Sequence, residues 1–144
     1  MSAEVWYLDS SALVKTIIEE PESATLMRWL EAKDELVACD LVRVEAVRAV
    51  RVSDPSALAR ARQAIATLTL IRLDDALYEK ATDVQLPTLR SLDALHLAAA
   101  LSLGSDLAGV VTYDTRMTEA AGVLDLHVEA PGRPGRVPHQ VARG

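Results

Sequence analysis

Four short apolar runs, VWYL at 5–8, LVAC at 36–39, LIRL at 70–73 and GVVT at 109–112, each lead into an aspartate: Asp9, Asp40, Asp74 and, after Tyr113, Asp114. Apolar runs of this length bounded by turn-forming residues read as buried strands. The stretches between them carry helix signals. Ser10 or Ser11 can cap a helix to about residue 18, and Pro21 can open a second in which Leu26, Met27 and Leu30 share an inward face. Asp40 can cap the segment LVRVEAVRAVRV, with Val44, Val47 and Val50 as its apolar positions. Ser53-Asp54-Pro55 turns the chain into an Ala- and Arg-rich helix ending near 66, and Asp74 caps a helix to about 84. Ser91 can cap a helix reaching to 103, and a short helix at 115–121 precedes a last strand at 126–128. This alternation gives an α/β fold: a mostly parallel central sheet of about five short strands with helices on both faces. Functional residues in such folds gather beyond the carboxyl ends of the strands, where the strand order switches direction.

At 144 residues the chain supports one domain with a real core. We expect that domain over 1–130, followed at 131–144 by a flexible basic tail, PGRPGRVPHQVARG. No apolar run is long enough to span a bilayer, and the N-terminus lacks a secretion signal, so a cytoplasmic protein with no membrane partner is expected. Cys39 is the single cysteine and cannot form an internal disulfide; it reads as a small buried residue. The formal charge of −6 has the wrong sign for holding nucleic acid on a broad basic surface. A polyanionic ligand therefore needs a cation in its site.

Four carboxylates are placed where such a cation would sit. Asp9 and Asp114 follow the first and fourth strands, while Glu45 and Asp93 each lie about one turn into a helix. Each has an ordinary structural reading as well. Asp9 can cap a helix, Asp114 can form an Asx-turn, and Asp93 can favour a helix N-terminus. Glu45 can pair with Arg43 or Arg48 on its own helix. Four acids converging on one edge would repel one another unless a cation lay between them, and hard divalent ions take oxygen ligands.

The segments DSSALVK (9–15), the glutamate of VEAVRAV (Glu45), LDALHLAAA (92–100) and TYDTR (112–116) resemble, in order and spacing, the motifs of PIN-domain ribonucleases. The likeness is strongest to the VapC-type toxins of bacterial toxin–antitoxin pairs and runs from about residue 5 to 130. It implies a PIN-like fold with Asp9, Glu45, Asp93 and Asp114 as catalytic acids that bind Mg²⁺, with Mn²⁺ as a substitute. It also implies endonucleolytic RNA cleavage leaving a 5′-phosphate and a 3′-hydroxyl, neutralisation by a cognate VapB-type antitoxin, and a homodimer. The chain departs from the family where Cys39-Asp40 stands in place of a frequent Ser before the glutamate helix, and Arg116 rather than a further acid follows Asp114.

A divalent ion among these acids can bind a phosphate oxygen and lower the pKa of a water that attacks phosphorus. Ser10, Ser11 and Thr112 are candidates to orient an acid or a water, and Lys15 and Arg116 to hold phosphate. His96 lies one turn beyond Asp93, but imidazole suits softer metals, and it reads as a packing or interface residue. The main rival is a catalytically silent PIN-like module that binds RNA or protein. An aspartyl-phosphate phosphatase would need a second acid two residues after Asp9, where Ser11 stands.

Overall fold

The computed structural model describes residues 4–134. The chain runs β1 (Val5–Leu8), α1 (Ser10–Lys15), α2 (Ser23–Glu31), β2 (Glu35–Cys39), α3 (Val42–Ser53) and, after a 3-10 turn at Pro55–Ala57, α4 (Leu58–Ala66). It continues with β3 (Thr69–Ile71), α5 (Asp75–Thr82), α6 (Ser91–Leu101), a 3-10 turn at Gly104–Asp106, β4 (Leu107–Val111), α7 (Thr115–Val123) and β5 (Val128–Glu129). The five strands form one sheet in the order β3-β2-β1-β4-β5, and every neighbouring pair is parallel. The expected architecture is therefore present, with a fully parallel sheet. The chain winds outward from β1 to β3, then returns past β1 to place β4 on its other side. The switch in strand order falls between β1 and β4, so the crevice expected of an open parallel sheet lies beyond Leu8 and Val111.

Strand alternation sorts the β1 side chains into two layers. Val5 and Tyr7 pack with Val37, Cys39 and Val110 against Ala99 and Ala100 of α6. Trp6 and Leu8 turn to the opposite face, where Leu26 and Leu30 of α2 and Ala12 of α1 cover them. The run of alanines in α6 suits this role: small side chains let a helix settle close on the sheet while Leu97 fills the space toward α7. A third cluster joins α1, α3 and α4 through Leu13, Val42, Ala46, Val50, Ala61 and Ile65.

Local details correct several sequence expectations. Asp9, not Ser10 or Ser11, caps α1, through a bond from the Ala12 amide to its Oδ1. Leu41 stands at the cap of α3 without a side-chain bond, and Asp40 Oδ1 instead takes the Leu73 amide at 3.4 Å. Arg90 occupies the cap of α6, and Ser91 is its first helical residue. Met27 is 40% exposed and Val44 59% exposed, so neither shares its helix's inward face. The buried face of α3 is Val42, Ala46 and Val50, a spacing of four, with Val47 partly buried against the same cluster and Val44 left outside it. Asp54 and Asp74 do cap the elements they precede.

Ordered contacts continue past residue 130. Tyr113 Oη donates to the Pro131 carbonyl at 2.6 Å, and the Arg133 guanidinium donates to the Tyr113 carbonyl. The remainder of the expected tail, 135–144, lies outside the described residues. Among the described residues no helix is long and apolar enough to cross a membrane.

Candidate active site

The site begins where β1 ends. The Asp9 backbone is extended, and its side chain turns back into the fold, 4% exposed. Oδ1 accepts from Ser11 Oγ at 2.7 Å and from the Ala12 amide at 3.0 Å, and Oδ2 accepts from Thr112 Oγ1. Burial pushes the Asp9 carboxyl above its ordinary pKa, while the bonds from Ser11, Thr112 and Ala12 work against that rise.

Asp114 stands beyond the adjacent strand β4. It caps α7, its Oδ1 accepting from the amides of Arg116 at 2.8 Å and Met117 at 3.3 Å. Its own amide donates to Thr112 Oγ1 at 3.1 Å, so one hydroxyl ties it to Asp9. Ser11 Oγ accepts from the Tyr113 amide at 2.9 Å and completes the link between the two strand ends. The capping reading and the site reading of Asp9 and Asp114 thus describe the same contacts.

Glu45 projects from the first turn of α3. Its Oε1 accepts from Ser10 Oγ at 2.6 Å and from His96 Nε2 at 2.7 Å, and neither Arg43 nor Arg48 pairs with it. Burial acts to raise the Glu45 pKa, but the bonds from His96 and Ser10 outweigh it and hold the carboxyl below its ordinary value. Asp93 lies in the first turn of α6, partly buried. Burial and then the charge of Asp114 raise its pKa.

The fold therefore brings Asp9, Asp114 and Thr112 into one bonded group and joins Glu45 to α1 through Ser10, while Asp93 makes no side-chain hydrogen bond to the other three acids. Among the described residues, none of the four acids forms an ion pair with a lysine or arginine. Nor do three or more Asp, Glu, His or Cys side chains among them draw close enough to form a ready-made metal cage.

The accessory candidates separate. Ser10, Ser11 and Thr112 each bond an acid directly. Arg116 is partly exposed beside Asp93, whose pKa its charge lowers. Lys15 is engaged elsewhere: its ammonium binds Glu20 at 2.5 Å and Glu22 at 2.9 Å and lies 4.9 Å above the Tyr113 ring. That pairing leaves Lys15 no free charge for phosphate.

His96 is not simply a packing residue. It is 3% exposed, with Nδ1 2.7 Å from Tyr7 Oη and 3.7 Å from Cys39 Sγ, and Nε2 on Glu45. Burial would lower its pKa, but hydrogen bonds to Cys39 and Glu45 dominate and push it up to about 10. Cys39 is fully buried, as expected. The sequence carried a signal that His96 needs polar partners, though not which ones. His96 is a polar residue on the buried face of an Ala-rich helix, and such a residue must find partners. Tyr7 lies two residues before Asp9, on the same face of β1.

The chain is thus an all-parallel α/β domain that carries carboxylates at the carboxyl-end edge where its strand order switches, the place where such folds gather their functional residues. The sequence matches the family described as the PIN domain over residues 6–123. The chain is 44% identical to ribonuclease VapC46 of Mycobacterium tuberculosis (strain ATCC 25618 / H37Rv) over 87% of its length and 96% of that protein. It is 43% identical to ribonuclease VapC35 of the CDC 1551 / Oshkosh strain, over 88% and 97%. In fold it matches M. tuberculosis VapC20, a sarcin-ricin loop cleaving toxin, with TM-score 0.65, 17% identity and coverage of 80% and 94%. It also matches a chain of a toxin-antitoxin complex from Klebsiella pneumoniae, with TM-score 0.68, 20% identity and coverage of 87% and 96%. The chain belongs to the PIN-domain family, as a VapC-type member.

Proposed function

We propose that this chain is the toxin of a toxin–antitoxin pair, a metal-dependent endoribonuclease in which Asp9, Glu45, Asp93 and Asp114 hold Mg²⁺ or Mn²⁺. The observation that carries the reading is the linkage of the buried Asp9 to Asp114 through the Thr112 hydroxyl at the switch point of the sheet, in a chain 44% identical to a ribonuclease. The donors suit the ion: all four are carboxylates, and Mg²⁺ keeps several waters while using one or two such ligands directly.

A divalent ion here supplies positive charge to a phosphate oxygen and lowers the pKa of an attacking water. The chain's own part is to hold the acids in fixed directions. Thr112 and Ser11 fix both oxygens of Asp9, and Ser10 fixes Oε1 of Glu45. Arg116, whose charge lowers the Asp93 pKa, is the candidate to meet RNA phosphate. Lys15 serves the fold instead. The PIN unit takes in most of the chain to about residue 130, and Pro131 and Arg133 pack back on it through Tyr113. The partners are RNA, a VapB-type antitoxin and a second copy of the chain, in the cytoplasm.

The test is RNA cleavage by the purified chain with Mg²⁺ or Mn²⁺ and with chelator, using Asp93→Asn as control. Cleavage should need the ion and disappear in Asp93→Asn while the fold persists. Cleavage that survives in that variant overturns the site assignment. RNA binding with no cleavage under any condition replaces this reading with the silent module.

A further inference from the structure

The acid edge has a buried foundation that the four carboxylates do not explain. His96 projects from α6 onto the sheet between Tyr7 of β1 and Cys39 of β2. A histidine 3% exposed in an alanine-lined layer costs stability unless its ring nitrogens are bonded, and both are. At Nε2 the direction of the bond is fixed, because an ionised Glu45 only accepts, so His96 donates to Oε1. At Nδ1 the Tyr7 hydroxyl, anchored on the central strand, sets the rotation of the ring. The chain of contacts runs from β1 through α6 to α3.

Glu45 reaches the edge on a flexible side chain, and its Oε1 is taken twice, by Ser10 and by His96. Among the described residues Oε2 makes no hydrogen bond. Resting on the metal-dependent reading above, we propose that His96, oriented by Tyr7, is a positioning residue that fixes Glu45 through Oε1 and so leaves Oε2 as the oxygen offered to the divalent ion. His96 is not itself a ligand, because its Nε2 carries the proton donated to Glu45 and its Nδ1 is taken by the Tyr7 hydroxyl. Ser10 alone would leave the carboxylate free to swing about one bond. The two donors, from α1 and α6, hold it from both sides.

Mn²⁺ affinity of the full chain, read from the electron paramagnetic resonance of free Mn²⁺, tests this without any cleavage assay. Removal of an outer partner of a metal ligand should weaken binding roughly 10- to 100-fold in His96→Leu. His96→Gln, which keeps an N–H donor near the Nε2 position, should recover most of that loss. Placed on Glu45→Gln, His96→Leu should cost nothing further, because its effect passes through Glu45. A merely structural role would instead lower affinity equally in both backgrounds.

Folded His96→Leu with wild-type affinity overturns the proposal, as does an equal loss on Glu45→Gln. If His96→Leu fails to fold, Tyr7→Phe removes only the hydroxyl, and it should weaken Mn²⁺ binding several-fold. Unchanged affinity there overturns the proposal too. A wild-type chain that binds no Mn²⁺ overturns the metal-dependent reading and this inference together. A wild type that binds, with indifferent variants, overturns this inference alone.

Discussion

Thr112 Oγ1 donates to Asp9 Oδ2 and, through its remaining lone pair, accepts from the Asp114 amide at 3.1 Å. One fully buried hydroxyl thus spans the ends of β1 and β4 at the switch point. Thr112→Val keeps the shape and leaves both Asp9 Oδ2 and the Asp114 amide without this partner. Leaving a buried group unsatisfied costs about 1–3 kcal/mol. Thermal unfolding in chelator should show a Tm lowered by roughly 2–4 °C per kcal/mol. Thr112→Ser should restore most of the loss. A Thr112→Val melt equal to wild type would show that the hydroxyl does not link the strands in solution.

Asp93 should stabilise the metal-free protein when its charge is removed. Burial, then Asp114, raise its pKa, so the neutral form is the one the fold prefers. The stability this preference gives is present below the ordinary Asp pKa and is lost as pH rises through the raised value. At neutral pH the metal-free chain therefore carries an unfavourable charge that Asp93→Asn deletes. In chelator the variant should melt above wild type at pH 7, and the gap should close as pH falls towards 4. Adding Mn²⁺ should raise the wild-type Tm and move the variant less.

These two acids also show what could and could not be read in advance. The strands, their parallel order and the placement of Asp9 and Asp114 follow from short apolar runs that end in aspartate, because an all-parallel sheet sends every strand's carboxyl end to one edge. Glu45 and Asp93 were legible as candidates through motif spacing. Helix caps were less so: Asp9 and Ser10, or Arg90 and Ser91, are adjacent, and which one keeps extended backbone depends on where the preceding strand releases the chain. Val44 and Met27 misled because an apolar residue beside the buried stripe of its helix is covered only if a neighbouring element reaches it, and among the described residues none does. His96 was hidden for a related reason. Its partners Tyr7 and Glu45 are 89 and 51 residues distant, and no local pattern links them.

Lys15 gives an acid-sensitive contribution to folding. Its ammonium pairs with Glu20 and Glu22 over the Tyr113 ring, and the bond to Lys15 holds the Glu22 carboxyl below its ordinary value. A carboxyl with a depressed folded pKa adds stability above its unfolded pKa and loses it as pH falls through the folded one. Lys15→Met removes the cause. The variant should be less stable than wild type near pH 7, and the difference should shrink on acidification below pH 4. RNA cleavage should change little, because Lys15 is committed to these glutamates. A large loss of cleavage in a well-folded Lys15→Met chain would return the residue to phosphate binding.

Gly109 is required by the close approach of three elements. It is registered opposite Trp6 on β1, and a Cβ there would lie 2.7 Å from Trp6 Cζ3 and 2.8 Å from the His127 carbonyl oxygen. The His127 carbonyl also accepts from the Val110 amide at 2.8 Å, so it cannot retreat without loosening the approach of β5 to β4. Trp6 is held in turn by the edge of Trp29 at 4.7 Å between ring centroids. Overpacking such a site costs about 1–3 kcal/mol. Gly109→Ala should therefore lower the Tm by several degrees. Trp6→Phe should relieve only the ring contact and not the carbonyl contact. The double variant should consequently lose less than the sum of the two single losses, while remaining below Trp6→Phe. Strict additivity would mean that the ring and the added methyl never meet.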